Sequence, residues 1–429
     1  MLRLRLFFAT LYVMQNTVYD VIIVGAGASG LICARECARG KLKTLVLEKE
    51  QAPGRKILVT GNGRCNLTNV RVAPAFYNAD KKLVSAALAH FSYADCRRYF
   101  EDLGILLTEE GQGRIFPQTG KSTAVLEPLK LAVLESGAEI LTGQTVSQIK
   151  RGKTFNLTTQ AGPTFQARRV VLACGSCAYP QAGGTSGGYE LAQKLGHTVS
   201  TPRPTLSGLM LKENLSRLSG IRAQVKLTAH TSPDVQTEDE IIFTGYGING
   251  PAALNASGAI SRALTNGHVH LHLNFLPEIQ NAEKFFSERL ERFSSRRPKD
   301  FFAGVLHESI ANLLIDFKGL RKNKPMQEQP PSAVQSAFDT ITCWPVTVTA
   351  LRPWNEAMAA AGGVNTHEIN YNTFESLCCP GLYITGELLD VDGQSGGFNL
   401  HFAWASGFSA AEDLTKENTP YGRNYSENH

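Results

Sequence analysis

The sequence predicts an α/β fold: a parallel, Rossmann-like sheet assembled from both ends of the chain, with a β-rich plus helical domain inserted between them. Three observations predict it. Tyr19-Asp-Val-Ile-Ile-Val-Gly25 is a continuous apolar run ending in a glycine-rich turn, the pattern of a strand buried on both faces. Residues 28–39 are helical in pattern, and Lys43-Thr-Leu-Val-Leu-Glu48 reads as a second strand, completing a βαβ unit. Near the other end, Gly381-Leu-Tyr-Ile-Thr-Gly386 repeats the strand-into-glycine pattern.

The intervening elements follow in order. Residues 83–103 are helical in pattern, Ser122 opens another helix that ends near Gly137, and strands then carry the chain to Ile149. Arg169-Val-Val-Leu-Ala-Cys-Gly175 is a further buried strand ending in a turn, and residues 188–196 read as a helix. The character changes after His197: residues 203–275 alternate as short strands with turns, 281–320 are helical and charge-rich, and 321–331 form a loop. The expected organisation is an N-terminal extension (1–18), a first part of the sheet domain (19–198) and an inserted domain (199–342; β-rich 203–275, helical 281–335). A second part of the sheet domain (343–416) and a tail (417–429) complete it.

Bulk properties bound the function. At 429 residues the chain holds about two to three domains. Hydrophobic residues at 43% and charged residues at 19% exclude a disordered chain. A net charge of +5 permits an acidic partner without indicating one. Nine scattered cysteines, an odd number, do not make a disulfide framework, so a reducing cytoplasm is expected. Residues 1–14 resemble a weak signal sequence, but the apolar run is too short to span a bilayer and no A-x-A site follows. They read as an extension, or mark an alternative start near Met14.

Gly25-Ala-Gly27-Ala28-Ser29-Gly30 follows a strand and opens a helix, and Glu48 ends the next strand 18 residues after Gly30. Glycines let the backbone approach a pyrophosphate at the positive end of the helix, and a carboxylate at the tip of the second strand accepts from ribose hydroxyls. This pattern indicates dinucleotide binding, with Lys49 beside the acid. A second match, Gly245-Tyr-Gly247-Ile-Asn-Gly250, runs at once into Pro251, and no acid appears before Glu278. It reads as a structural turn. Two further blocks have the composition of a cofactor wall. One is Gly54-Arg55-Lys56-Ile-Leu-Val-Thr60-Gly61-Asn62-Gly63-Arg64-Cys65-Asn66; the other is Gly386-Glu387-Leu-Leu-Asp-Val-Asp392-Gly-Gln-Ser-Gly396-Gly397-Phe398-Asn399.

These blocks resemble the BaiN/RdsA-like family of FAD/NAD(P)-dependent oxidoreductases, the YhiN-type flavoproteins, in which GRK, GRCN and GGFN blocks surround FAD. The resemblance extends from Tyr19 to about Leu414. It implies a two-dinucleotide-binding-domain FAD fold with the inserted domain described above. By motif, FAD contacts fall on Gly27, Ala28, Gly30, Glu48, Arg55, Lys56, Thr60, Asn62, Arg64, Cys65 and Asn66. Val146 would lie on the adenine side, Ala173 and Gly175 over the dinucleotide, and Glu387, Asp392, Gly397, Phe398 and Asn399 along the ribityl chain and ring. Some family positions differ: a Phe-Thr-His-x-Gly-x-Ser pattern is here Phe243-Thr-Gly245-Tyr-Gly-Ile-Asn249, an Ala-Thr-Gly-Gly turn is Ala173-Cys-Gly-Ser176, and a lysine is replaced by Leu377. Borrowed substrate roles at these positions do not transfer.

The resemblance implies an FAD-dependent oxidoreductase that takes electrons from NADH or NADPH and passes hydride to an activated C=C bond of a small molecule or of a ribosomal RNA uridine. A flavin-dependent amine oxidase is one alternative; an RNA-binding protein with structural FAD is another. Cys65 is the candidate proton donor, against a packing role. Cys174-Gly-Ser-Cys177 has redox-disulfide spacing but reads as a small-residue turn. His268, His270 and His272 share a strand face, yet no acid or cysteine is interleaved, and no metal is expected. The basic clusters Arg292–Lys299 and Arg321–Lys324 read as solvated helix ends, with RNA phosphate as the sharper alternative. Oligomeric state is left open.

Overall fold

A computed structural model describes residues 17–416; the expectations for the extreme N-terminus, Met14 and the tail lie outside the described residues. The chain divides into two units, one running to Arg203 and resuming at Met358, the other Pro204–Ala357. No helix among the described residues is long and apolar enough to cross a membrane.

The first unit is built on the strand Val18–Val24. It pairs in parallel with Thr44–Leu47 on one side and with Thr164–Leu172 on the other, Val24 lying opposite both Leu47 and Leu172. Glu139–Leu141 extends the sheet beyond Thr44–Leu47, and Leu382–Ile384, from the far end of the chain, adds in parallel to Thr164–Leu172. Antiparallel strands Phe155–Thr159 and Val146–Arg151 complete it. Ile22, Ile23, Leu45 and Val46 are fully buried, as continuous apolar runs require when helices cover both faces.

Helix Ala28–Arg39 packs against the last helix, Phe398–Lys416, at a crossing kept open by glycine: a Cβ on Gly407 would lie 2.3 Å from the Ser29 carbonyl. That last helix starts four residues earlier than the sequence pattern suggested. The long helical pattern over 83–103 is two helices, Lys81–His90 and Tyr93–Asp102. Ser92 between them caps the second in a reciprocal box with Asp95, a local signal that the apolar periodicity overrode.

The second unit is a closed six-stranded antiparallel barrel in the order Leu209–Leu211, Gly247–Asn249, Val235–Thr244, Arg222–Ala229, Val269–Asn274, Trp344–Leu351. Helix Pro251–Ala263 belongs to this unit, as do helices Ala282–Phe293, Glu308–Phe317 and Pro331–Thr342, the first and last joined by the stacked rings of Phe286 and Phe338 at 4.1 Å. The boundary expected after residue 342 is corrected. Trp344–Leu351 pairs with both Val269–Asn274 and Leu209–Leu211, and without it the barrel would have two open edges. The second glycine motif is the hairpin between Val235–Thr244 and Gly247–Asn249, not a βαβ turn; a Cβ on Gly247 would strike the Leu209 carbonyl at 2.3 Å.

One buried polar group ties the last helix to the rest of the first unit. His401 Nε2 lies 3.0 Å from the Phe91 carbonyl and so carries a proton, while Nδ1 accepts from the Thr68 hydroxyl at 2.7 Å. The ring is fully buried and neutral, its pKa pulled by that burial from the ordinary 6.5 to about 4. The unfolded chain therefore takes up a proton first as pH falls. The contribution of His401 to stability is full above about pH 6.5 and declines by about 1.4 kcal/mol per pH unit towards pH 4. Substituting His401→Gln, which keeps an N–H donor, is expected to lower stability at pH 7 but flatten the loss between pH 6.5 and 4. Urea midpoints across that range read the slope; an unchanged slope contradicts the assignment.

Candidate functional site

The three glycines of the first turn are required for three different reasons. Gly25 has φ +108°, and a Cβ there would lie 2.5 Å from the Ala173 carbonyl. Gly30 has an ordinary helical backbone, but its Cβ would sit 2.0 Å from the Gly25 carbonyl, so helix and strand pack in contact only with glycine. Gly27 is neither strained nor crowded: φ is −84° and a Cβ would meet nothing within 4 Å. The space above it is open cleft. No side chain caps the helix Ala28–Arg39, so its first amides and the positive end of its dipole face that cleft. Glu48, at the tip of the neighbouring strand, accepts from Ala26 N–H at 2.7 Å with one oxygen and from Glu50 N–H at 2.8 Å with the other. These bonds fix the carboxylate and leave it further lone pairs for a diol.

The cleft has a cavity volume of about 220 Å³. Of the residues expected from the sequence, Gly25, Gly27, Ala28, Ser29, Glu48, Lys49, Arg55, Lys56, Thr60, Val146, Ala173, Gly175, Glu387 and Asn399 line it. The two ends of the chain meet here: Lys56 Nζ lies 2.6 Å from Glu387 Oε2, and Glu387 Oε1 accepts from Ala360 N–H at 3.1 Å. Arg55 binds the Glu50 carboxylate and donates to the Gln181 carbonyl at 2.9 Å. Lys49 and Arg55 hold the Glu50 carboxyl below its usual range, the Lys49 hydrogen bond contributing most.

The remaining expected residues stand behind the wall. Gly61, Asn62 and Gly63 all have positive φ and turn the chain out of a short helix that begins at Arg55. Arg64 pairs with Glu110 and covers the Phe116 ring at 4.3 Å. Gly386, with φ +68°, would bring a Cβ to 2.7 Å from Ser29 Oγ. Asp392 accepts from Asn78 at 3.0 Å, Gly396 and Gly397 turn the chain with positive φ, and Phe398 stacks on Phe76 at 4.6 Å. Cys65 requires a correction. Its thiol is fully buried, does not line the cleft, and is pushed by burial up to about 12. It packs beneath the wall, which does not support a proton-donor role. Cys174 does line the cleft, but its thiol lies 3.5 Å from the Val24 carbonyl, and burial pushes it up to about 12 as well.

Several lining residues were missed. Gly183, Gly184 and Thr185, with Gly187 and Gly188 at the start of helix Gly187–Lys194, bring another glycine-rich segment into the cleft. Glycines and small polar residues clustered before a helix were a visible signal. Gln144 and Met358 carried none, since each reaches the cleft only through the fold.

The lining fits an adenine dinucleotide. Gln144 Oε1 is buried with no partner among the described residues, and Asn66 Oδ1, behind the wall, is likewise unpaired. Buried acceptors of this kind cost stability unless something donates to them. With the open space at Gly27 and the uncapped amides, Gln144 leaves the cleft with polar groups that a nucleotide satisfies. Two glycine substitutions separate site from scaffold. Gly27→Val is expected to leave the thermal midpoint of the cofactor-free protein within a few degrees of the parent while weakening flavin-nucleotide binding at least about tenfold. Gly30→Val is expected to unfold the first unit outright. Melting curves and fluorescence titrations check both; equal loss of fold in the two variants contradicts the distinction.

The HI0933-like protein Rossmann domain matches residues 19–413. The chain is 34% identical over 397 residues to a 3-dehydro-bile acid delta(4,6)-reductase of Clostridium scindens, covering 90% of this chain and 97% of the relative. It is 30% identical over 404 residues to a ribosomal RNA dihydrouridine synthase of Haemophilus influenzae, covering 92% and 98%. The Escherichia coli ribosomal RNA dihydrouridine synthase is 29% identical over 411 residues, covering 92% and 98%. With its βαβ turn, its returning C-terminal strand and a match over nearly its whole described length, the chain belongs to the HI0933-like family and is an FAD-dependent oxidoreductase.

Proposed function

We propose that this enzyme saturates an electron-poor C=C bond of a small polycyclic or enone-like molecule, with NADH or NADPH as the electron source. The observation that carries the reading is the cleft itself, where uncapped helix amides, the fixed Glu48 carboxylate and the Lys56–Glu387 pair line one continuous channel. The bond type is supported by the relatives: a delta(4,6)-reductase and a dihydrouridine synthase both name the saturation of a C=C bond. The steroid-like class is preferred because the bile-acid reductase has the higher identity.

In this reading the amides of Ala28 and Ser29 receive the pyrophosphate, Glu48 holds the ribose, and Val146 and Gln144 bound the adenine. Lys56, Glu387 and Asn399 bound the flavin end, and Gly61, Asn62, Gly63, Gly396 and Gly397 shape the wall behind it. Bound flavin, once reduced, supplies the hydride. The protein's share is orientation and field. Lys56 places a positive charge beside the flavin end, and Glu387 fixes where that charge sits. Cys65 is replaced as proton donor in this scheme by solvent or by a substrate group, since its thiol is sealed from the cleft.

An RNA uridine is the second reading. Arg289, Arg292 and Arg296 surround the Phe293 ring at 5.1, 5.7 and 4.0 Å, a cationic face with an aromatic centre of the kind that meets nucleic acid.

Anaerobic stopped-flow absorbance with NADH or NADPH, followed by air, tests the proposal. Bleaching of the flavin by a pyridine nucleotide, slow reoxidation in air and rapid reoxidation by an enone are expected. Instant reoxidation with peroxide release would mean an oxidase and favour the amine-oxidase alternative. No bleaching, with salt-sensitive RNA binding, would mean a structural flavin in an RNA-binding protein.

A further inference from the structure

The strand Val269–Asn274 carries His270 and His272 on its outward-facing side. The sequence offered no carboxylate to accompany them, but the barrel register supplies one. Arg222–Ala229 runs antiparallel alongside, with Thr228 opposite His272 and Ala229 opposite Leu271, so the next residue, His230, arrives beside His270 and donates its N–H to the His270 carbonyl at 2.9 Å. His230 Nε2 lies 2.9 Å from His272 Nδ1, the two rings nearly perpendicular at 77°. On its other side, His230 Nδ1 lies 3.0 Å from Asp234 Oδ2.

These contacts fix the tautomers. An ionised carboxylate only accepts, so His230 Nδ1 carries a proton, and in the neutral ring that binds a metal Nε2 presents a lone pair. A carboxylate behind an imidazole, orienting its free nitrogen, is the arrangement found behind metal-bound histidines. The proton between the rings sits on His272 Nδ1 and moves to Nε2 by a change of tautomer, leaving a second lone pair aimed at the first. No proton is lost in that exchange.

The spacing suits a small ion. Two nitrogens bound at about 2.0–2.1 Å in tetrahedral geometry stand roughly 3.3 Å apart, so the pair opens by only about 0.4 Å. His270 turns to the other edge of the strand, its Nδ1 3.4 Å from Oγ1 of Thr347 on the paired strand Trp344–Leu351. His230 is 40% exposed at its side chain, which leaves the nitrogens open to solvent ions. Three potential ligand atoms converge elsewhere among the described residues, but that group differs in exposure. His197, Glu368 and Cys378 bring ligand atoms within 4.8 Å of one another, but His197 is sealed, with Nδ1 at 3.0 Å from Glu368 and Nε2 at 2.7 Å from Ser376 Oγ. Ser376 Oγ already accepts two backbone N–H groups, so its hydroxyl proton goes to His197 and the network is closed.

We propose that His230 and His272, oriented by Asp234, bind one divalent transition-metal ion of the zinc, nickel or copper class on the outer face of the barrel. Imidazole donors suit these ions, and the assignment does not depend on the reaction carried out in the flavin cleft.

Calorimetric titration of tag-free, EDTA-treated full-length protein with zinc chloride, and electron paramagnetic resonance with one equivalent of cupric ion, test the site. One ion per chain is expected, with nitrogen hyperfine structure from at least two imidazoles. His230→Ala and His272→Ala are each expected to weaken binding at least about tenfold and Asp234→Asn about tenfold, with His268→Ala unchanged. Circular dichroism checks that the variants fold, and the cupric spectrum of the unaltered chain reads the ligands without any substitution. Absence of nitrogen hyperfine structure, or an affinity unchanged in His230→Ala and His272→Ala, would overturn the proposal.

Discussion

The first turn of helix Ala28–Arg39 leaves backbone amides unmet by any side-chain cap, and much of the first unit is arranged around that deficit. A helix N-terminus carries roughly half a positive charge and several free donors, and water satisfies them unless the fold reserves them for an anion. In this chain the fold reserves them. Gly25 and Gly30 pull strand and helix into contact by omitting a Cβ that would fall 2.5 Å and 2.0 Å from carbonyl oxygens. Gly27, between them, omits one that would have filled open cleft. One glycine-rich turn therefore does two jobs, close packing and ligand clearance, and only the coordinates separate them.

The second constraint is closure by the distant end of the chain. The strand Leu382–Ile384 adds to the central sheet, Glu387 reaches Lys56, and the helix Phe398–Lys416 lies on Ala28–Arg39 across a glycine contact. The cleft is thus shared by segments more than three hundred residues apart in sequence. A chain built in this way cannot form its cofactor site until both ends have folded, and the Pro204–Ala357 unit is accommodated as an insertion between them.

Much of this was legible from the sequence because it depends on local chemistry. The run from Tyr19 to Gly30 and the acid at Glu48 declare a βαβ unit through periodicity and glycine alone, and the returning strand at residue 382 declares itself in the same way. What was not legible came from the third dimension. Cys65 sits in a block rich in ligand-like residues, yet it is sealed from the cleft because the chain turns through three positive-φ residues just before it. Gln144 has no motif, and its place follows from the strand pairing that sets the sheet edge. Trp344–Leu351 reads as a strand, but only barrel closure assigns it to the inserted unit. Asp234 meets His230 within one hairpin, but the two join His272 only through the register of the barrel. The family resemblance carried the cofactor identity, which the glycine spacing alone leaves at the level of a dinucleotide.

A cofactor held between the two ends of the chain is the element on which the enzyme's chemistry rests. The most direct test is the flavin content of the freshly purified protein, measured by absorbance and by mass spectrometry of the nucleotide released on denaturation. One FAD per chain, released intact, is the predicted result. A colourless protein that takes up no FAD on reconstitution, or one that carries FMN without the adenylate half, would contradict the binding roles of the helix amides, Glu48 and Gln144.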